Sequence, residues 1–488
     1  MLTLAQVAAV VQGSARADSR LSLAPSTAPA SSSASGRSHW ADRQVESIST
    51  DTRSLQPGAL FVALRGERFD GHAHLQAAHD AGACAALVDA ASITPAVVGD
   101  LPLIRVPDTR RALGALAAFW RASFHLPVIV VAGSNGKTTT KDMVAAILCA
   151  WQGDAAVLAT AGNLNNDIGL PLTVFRLRAH HRAAVFEIGM NHPGETEGLA
   201  QIAQPVIALI TNAQREHQEF MQDVDAVAAE HALLIDALDA DGALVVNADD
   251  AHGELWARRA GARRVLRFGL GAKAAVRAAW QLHPTSSDIE ITLPEAKVRV
   301  TLGIPGLHNV RNALAAAAAA TLAGCPPDAI ARGLARFSPA RGRLQVHAAA
   351  HGARLIDDTY NANPDSVRAA IDVLAAGGGT TILVLGDMGE VGEHARAFHQ
   401  EVGQYAREQG IGHLFTLGRA TTDSVVGFGE QARHFDDIAA LTTAVRAHLA
   451  PGTTVLVKGS RFMRMERVIE ALAITAASAE HPSIGMVQ

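Results

Sequence analysis

Cysteine is scarce in this 488-residue chain: Cys84, Cys149 and Cys325 are the only three, and they stand far apart. Isolated thiols exclude a disulfide framework and fit a reducing compartment. Long apolar runs are missing as well, so no membrane span is expected. The stretch "NALAAAAAATLAG", from Asn312 to Gly324, is alanine-rich and reads as a buried helix. The N-terminal residues lack an early basic region and a strongly apolar core, so no secretory signal is expected and the expected location is the cytoplasm. Positive charge is not in excess: the net charge is −5 and the pI about 6.5. That leaves no electrostatic footprint for nucleic acid. The 21 histidines include no H-E-x-x-H pattern, and no C-x-x-C accompanies them, so they are read as surface or core residues rather than zinc ligands. What is present, 49% hydrophobic and 18% charged residues, describes a globular chain long enough for about three domains.

The stretch "VIVVAGSNGKTTTKDMV", Val128 to Val144, also lacks something. The usual phosphate-binding pattern G-x-x-x-x-G-K-[ST] would put its first glycine at Val131; the loop reads G-x-x-G-K-T instead, from Gly133. Its flanks still suit a phosphate cradle. Val128 to Val131 form a β-branched run, and Met143, Val144, Ile147 and Leu148 recur at helical spacing from Lys141 on. Strand, glycine loop and helix start bring backbone N–H groups and a helix N-terminus to one point. Gly133, Ser134, Asn135, Gly136, Lys137, Thr138 and Thr139 are therefore read as a nucleotide loop. Lys137 would reach the outer phosphates, and the Thr138 hydroxyl would face Mg²⁺.

Residues 22–38, "SLAPSTAPASSSASGRS", cannot bury a core and read as a flexible insertion. Three segments follow from the pattern of strands and helices: 1–126, 127–338 and 339–488. The first is mixed α/β. The second alternates strands and helices as a doubly wound parallel sheet, and the third repeats that alternation in a Rossmann-like unit. In such sheets ligands sit beyond the carboxyl ends of the strands. Glu187 ends one strand and is a candidate oxygen ligand for Mg²⁺, although a strand-end glutamate is often merely solvated. Asn163, Asn165 and Asn166 in "GNLNNDIGLPLT" suit a polar substrate; a turn with asparagine in the left-handed region is the plain alternative. "DDTYNANPDS" places Asp358, Tyr360, Asn361, Asn363 and Asp365 after a strand, with a helix start near Asp365 or Ser366. Lys458 in "VLVKGSR" ends another strand as a possible phosphate or carboxylate contact.

Taken in order, "AGSNGKTTT", "EIGMNHPGE", "HNVRNALAA", "GRLQ", "DDTYNANPDS" and "VKGSR" resemble the ATP-dependent Mur ligases of peptidoglycan synthesis, whose loop is also short. "GNLNNDIGLPLT", "FEIGMNHPGE" and "LGDMGEVG" resemble the branch that adds D-alanyl-D-alanine to a UDP-N-acetylmuramoyl-tripeptide. The resemblance implies that Ser49, Thr50, Asp51, Thr52 and Arg53 hold the UDP part. It implies ATP on the glycine loop, Thr138 and Glu187 on Mg²⁺, and His217 near a second metal. Asn309 and Asn312 would flank the adenine, Arg343 and Asp358 would meet phosphate and ribose, and Tyr360, Asn361, Asn363, Asp365 and Lys458 would face the dipeptide. A hinged monomer is the default. Another Mur-type ligase, a folylpolyglutamate synthase, or a regulatory P-loop NTPase are the competing readings. The third residue of the stem peptide, lysine or diaminopimelate, stays open.

One departure stands out. Many Mur ligases carry a carbamylated lysine about fourteen residues after the histidine matching His217. Here no lysine occurs between Lys141 and Lys273, and the matching positions are Glu230 and His231. Of the two, the Glu230 carboxylate is the harder ligand, so it is expected at the metal.

Overall fold

The computed structural model describes residues 1–17, 41–92 and 98–474; the expected insertion at 22–38 lies outside them. Three sheet-centred units follow one another. The first holds four parallel strands in the order Ser47–Ser49, Ala59–Val62, Ala85–Asp89, Leu103–Val106. The Thr109–Arg121 helix then leads into the second unit. Its N-cap Asp108 accepts from the amides of Arg110 and Arg111, satisfying two of the helix's free donors.

The second unit is a six-stranded parallel sheet. Its strand order is Arg264–Phe268, Ala243–Asn247, Ile207–Ile210, Val128–Ala132, Ala183–Glu187, Val157–Ala159. Its central strands are fully buried, as continuous apolar runs in a sheet covered on both faces should be. Val128–Ala132 lies between Ile207–Ile210 and Ala183–Glu187. The chain passes to opposite sides of it in turn, so the crevice of the sheet opens at the glycine loop. A three-stranded antiparallel sheet, Arg277–Leu282, Ser287–Thr292 and Lys297–Leu302, is added to this unit and was not expected. Helix Leu307–Leu322 runs beneath, with Ala313 to Ala320 buried; small side chains let it lie close to the sheet and to helix Lys137–Gln152.

The third unit has six strands. Gln345–Ala348 is antiparallel at the edge, and the rest are parallel: Arg354–Asp358, Thr453–Lys458, Thr380–Gly386, His413–Leu417 and Ala432–Phe435. Asp358 and Lys458 are register partners on adjacent strands. No helix among the described residues is long and apolar enough to cross a membrane.

Candidate active site

Helix Lys137–Gln152 begins four residues earlier than its apolar spacing suggests, at the loop lysine itself. Its cap is Gly136 in the left-handed region, at φ +82, with no side chain on the first-turn N–H groups. Those donors stay available to an anion. Both loop glycines are obligatory. A Cβ at Gly133 would stand 2.1 Å from Thr211 Oγ1, and one at Gly136 would stand 2.4 Å from Asn312 Oδ1. The loop is pinned to the end of the neighbouring strand: Asn135 N donates to Asn212 Oδ1, while Thr211 Oγ1 and Asn212 Nδ2 donate to Asn135 O. Gly133 and Thr139 shape the loop. Ser134, Asn135, Gly136, Lys137 and Thr138 line a cavity of about 990 Å³.

Lys137 Nζ donates to the carbonyls of Gly133 (2.6 Å) and Ser134 (3.2 Å) and lies 3.3 Å from Glu216 Oε2. Glu216 is buried, and the sequence reading missed it. Burial alone would push its carboxyl up, but Lys137 and the hydrogen bond from His231 hold it down at about 2. His231 is 2% exposed; its Nε2 lies 3.0 Å from Glu216 Oε1 and 3.5 Å from Ser134 Oγ. Glu216 directly precedes the candidate His217 in the loop beyond strand Ile207–Ile210, which is the one cue the sequence offered. Nothing in its spacing couples residues 137, 216 and 231.

Glu187 reaches the same cavity from its strand end and is 2% exposed. Asn165 Nδ2 donates to its Oε1 at 2.7 Å, whereas Oε2 is buried with no partner. A buried anionic oxygen left unpaired is expensive, and it is the feature a cation would satisfy. Among the described residues no three His, Cys, Asp or Glu side chains cluster as a ready-made metal site. Mg²⁺ takes one or two carboxylates and completes its shell with phosphates and water, and Glu187 is a residue here that could supply one of them. His217 also lines the cavity. Its backbone is left-handed at φ +50, and Nδ1 makes an ion-pair contact of 2.7 Å with Glu390 Oε2, out of line for a hydrogen bond. A strained histidine held by the third unit is a feature of functional loops.

The third unit supplies the opposite wall. Arg343 stacks on Tyr360 at 4.0 Å and reaches Thr138 Oγ1 at 3.5 Å. Lys458, Tyr360, Asn361 and Asn363 line the cavity too. Asn363 does double duty: it is the N-cap of helix Pro364–Ala376, in a reciprocal box with Ser366, and its Nδ2 donates to Asn135 Oδ1 at 3.0 Å. The first unit contributes Arg110, Arg111 and Gly114, and Asn163 and Asn166 complete the wall below them.

Several expectations need correction. Glu230 does not face the cavity: its two oxygens accept from the amides of Gly194 and Thr196, both at 2.8 Å, at the start of helix Glu195–Ala203. Asp358 is engaged by Lys458 Nζ at 2.6 Å and does not line the cavity. Asp365 turns away to Arg215. Asn309 donates to Pro305 O and Asn312 donates to Asn309; neither lines the cavity, and Asn312 packs against Gly136. Asn166 accepts from the amides of Ile168 and Gly169, the plain turn role. Ser49 to Arg53 are not among these corrections: expected at a separate UDP site, they lie outside this cavity, at the end of the first strand, where Asp51 and Arg53 form an exposed pair.

A glycine loop at the crevice of a parallel sheet, faced by a third α/β unit, defines a nucleotide-dependent enzyme of several α/β units. Three family models match the chain in succession: Mur ligase family, catalytic domain, over residues 44–121; Mur ligase middle domain over 131–320; and Mur ligase, glutamate ligase domain, over 342–461. The chain belongs to the Mur ligase family. It is 40% identical to the UDP-N-acetylmuramoyl-tripeptide–D-alanyl-D-alanine ligase of Escherichia coli, over 90% of this chain and 96% of that one. Its fold is similar to MurF from Acinetobacter baumannii, with a TM-score of 0.83 and 31% identity over 96% of this chain and 98% of that one. It is also similar to MurF ligase from Thermotoga maritima in complex with ADP, with a TM-score of 0.78 and 26% identity over 88% and 97% of the two chains.

Proposed function

We propose that this enzyme uses ATP to join D-alanyl-D-alanine to UDP-N-acetylmuramoyl-tripeptide, in the cytoplasm, through an acyl phosphate. The observation that carries the reading is the single cavity walled by the glycine loop, Glu187 and the third unit's Arg343 and Lys458. A carboxylate is a poor electrophile. Its oxygen must first take the γ-phosphoryl group, releasing ADP; the dipeptide amine then attacks the acyl carbon, loses a proton, and phosphate leaves. Neither step needs a protein nucleophile, only position and charge.

The residues divide that work. The loop amides and Lys137 would hold the phosphates, with Lys137 turning from Gly133 O and Ser134 O toward the incoming charge. Thr138 and Glu187 would hold Mg²⁺, with His217 near a second metal ion; when bound, such ions neutralise charge on the transferred phosphoryl group. Arg343, braced by Tyr360, would add a cation from the third unit, and Tyr360, Asn361, Asn363 and Lys458 would meet the dipeptide. Ser49 to Arg53 would hold the UDP end. In this reading segments 1–126, 127–338 and 339–488 act as UDP-substrate, ATP and ligase domains of a monomer. The test is phosphate release with ATP, UDP-N-acetylmuramoyl-tripeptide and D-alanyl-D-alanine, each omitted in turn. Release that persists without the dipeptide would point to a regulatory NTPase and sink the reading.

A further inference from the structure

Glu216 is a buried carboxylate with one oxygen fixed and the other turned toward the cavity. Its Oε1 is held by His231 at 3.0 Å. Its Oε2 makes only long contacts, 3.3 Å to Lys137 Nζ and 3.8 Å to His217 Nε2. Glu216 lines the same cavity as Thr138 and Glu187, whose own Oε2 is buried without a partner. We propose that Glu216, set in place by His231, is the second carboxylate that faces the magnesium ion, in the part the sequence had suggested for Glu230. The proposal rests on the ATP-ligase reading above.

Three observations support it. The first is placement. Residues 230 and 231 are neighbours on helix Val224–Asp236, and they brace two different loops: Glu230 ties down residues 194–196, and His231 ties down Glu216. The second is rigidity. Ser134 Oγ lies 3.5 Å from His231 Nε2 and accepts from Gln214 N at 2.9 Å, so glycine loop, residues 214–217 and helix meet at one point. A carboxylate fixed by a second group is what a metal site requires. The third is ligand chemistry. Magnesium favours carboxylate oxygen and imidazole favours softer metals, so His231 positions and Glu216 ligates. The helix carries no lysine that CO₂ could convert to a carboxylate; Glu216 supplies one permanently. The competing role is a resting counter-ion for Lys137 and nothing more, in which case removing the charge leaves metal affinity alone.

The test uses Mn²⁺ as the probe, bound to the full-length protein together with a non-hydrolysable ATP analogue. Electron paramagnetic resonance reads its affinity, and anomalous scattering from crystals of the wild-type complex reads its position. Glu216→Gln should weaken Mn²⁺ binding about tenfold or more. His231→Leu should do the same through loss of position, and His231→Gln, whose amide can still reach Glu216, should restore most of the affinity. The metal should lie within ligand distance of a Glu216 oxygen. Unchanged affinity in folded Glu216→Gln overturns the assignment, as does a wild-type complex whose metal sits elsewhere. Should Glu216→Gln fail to fold, the wild-type metal position decides alone. Absence of any manganese–nucleotide complex in the wild-type protein overturns the ligase reading, and the assignment with it.

Discussion

The Oε2 of Glu187 is a buried carboxylate oxygen without a partner that faces the cavity's residues, and it yields the first residue-scale prediction. Glu187→Gln keeps the shape and loses the charge, so the magnesium concentration for half-maximal activity should rise by about tenfold or more, since a neutral amide is a poorer magnesium ligand. An unchanged magnesium titration would remove Glu187 from the metal site. Lys137→Ala should abolish turnover while leaving UDP-substrate binding within about twofold of wild type, because Ser49 to Arg53 and Lys137 belong to different sheets. Calorimetry with the UDP substrate, beside phosphate release, checks both halves; equal loss of both in a folded variant contradicts that separation. Lys137, Thr138 and Glu187 were reached from pattern, a glycine loop after an apolar strand and a carboxylate at a strand end, whereas His217 came only with the family resemblance. Glu216, in the loop beyond strand Ile207–Ile210, carried only the sign of standing beside that histidine and was overlooked. His231 carried none. It is a helix residue whose meaning appears only when residue 216 folds against it, and no local pattern holds that information.

At the scale of elements, Glu230 shows how a residue chosen for chemistry can be claimed by architecture. Helix Glu195–Ala203 starts after Gly194, which offers no side-chain cap, and the buried Glu230 carboxylate accepts from the amides of Gly194 and Thr196 instead. The charge also complements the positive end of the helix. Glu230→Ala should therefore cost about 1–3 kcal/mol, the range for leaving buried donors unsatisfied, read as a lower denaturation midpoint. The magnesium titration of the surviving protein should not move. A variant of normal stability with impaired metal response would return Glu230 to the site. The alternating strands and helices were legible because the parallel sheets rest on continuous apolar runs such as Val128–Ala132. The antiparallel addition was equally open to pattern: in Lys297–Leu302 exposed and buried residues alternate strictly, the period of a half-covered strand. An expectation of one purely parallel middle sheet had no place for it. Helix Lys137–Gln152 was placed late because its first turn carries threonines and a lysine turned to function, leaving no apolar period to read.

Across the whole molecule, the cavity is walled by more than one unit, and Arg215 is where the second and third units grip. Its guanidinium pairs with Asp365 (Nη2 to Oδ1, 2.6 Å) and with Glu401 (Nη1 to Oε2, 2.6 Å), and it lies over the Phe398 ring at 5.1 Å. Its backbone N–H donates to Asp365 Oδ2 as well, at 2.9 Å. Burial would lower the guanidinium's pKa, but the two carboxylates hold it above its ordinary value, so the charge persists at any working pH. Around this grip stand weaker ties, Asn135 with Asn363 and the amide of Glu219 with Glu390 O. Arg215 is also the residue before Glu216 and two before His217. Were the units to part, a loop held this way by the third unit would lose that hold, and substrate enclosure would then be coupled to the arrangement of residues 215–217. Arg215→Ala removes the charged contacts and takes from Asp365 its ion-pair partner, while Glu401 keeps Arg368. The ligand-free variant should scatter X-rays with a larger radius of gyration than wild type, and kcat/KM should fall about tenfold to a hundredfold, equivalent to roughly 1.4–2.8 kcal/mol of lost closing free energy. Saturating ATP and dipeptide should recover part of the compact form, because ligands that bridge the units replace some of the missing contacts. Identical scattering and identical kinetics in the variant would show that the units close without Arg215.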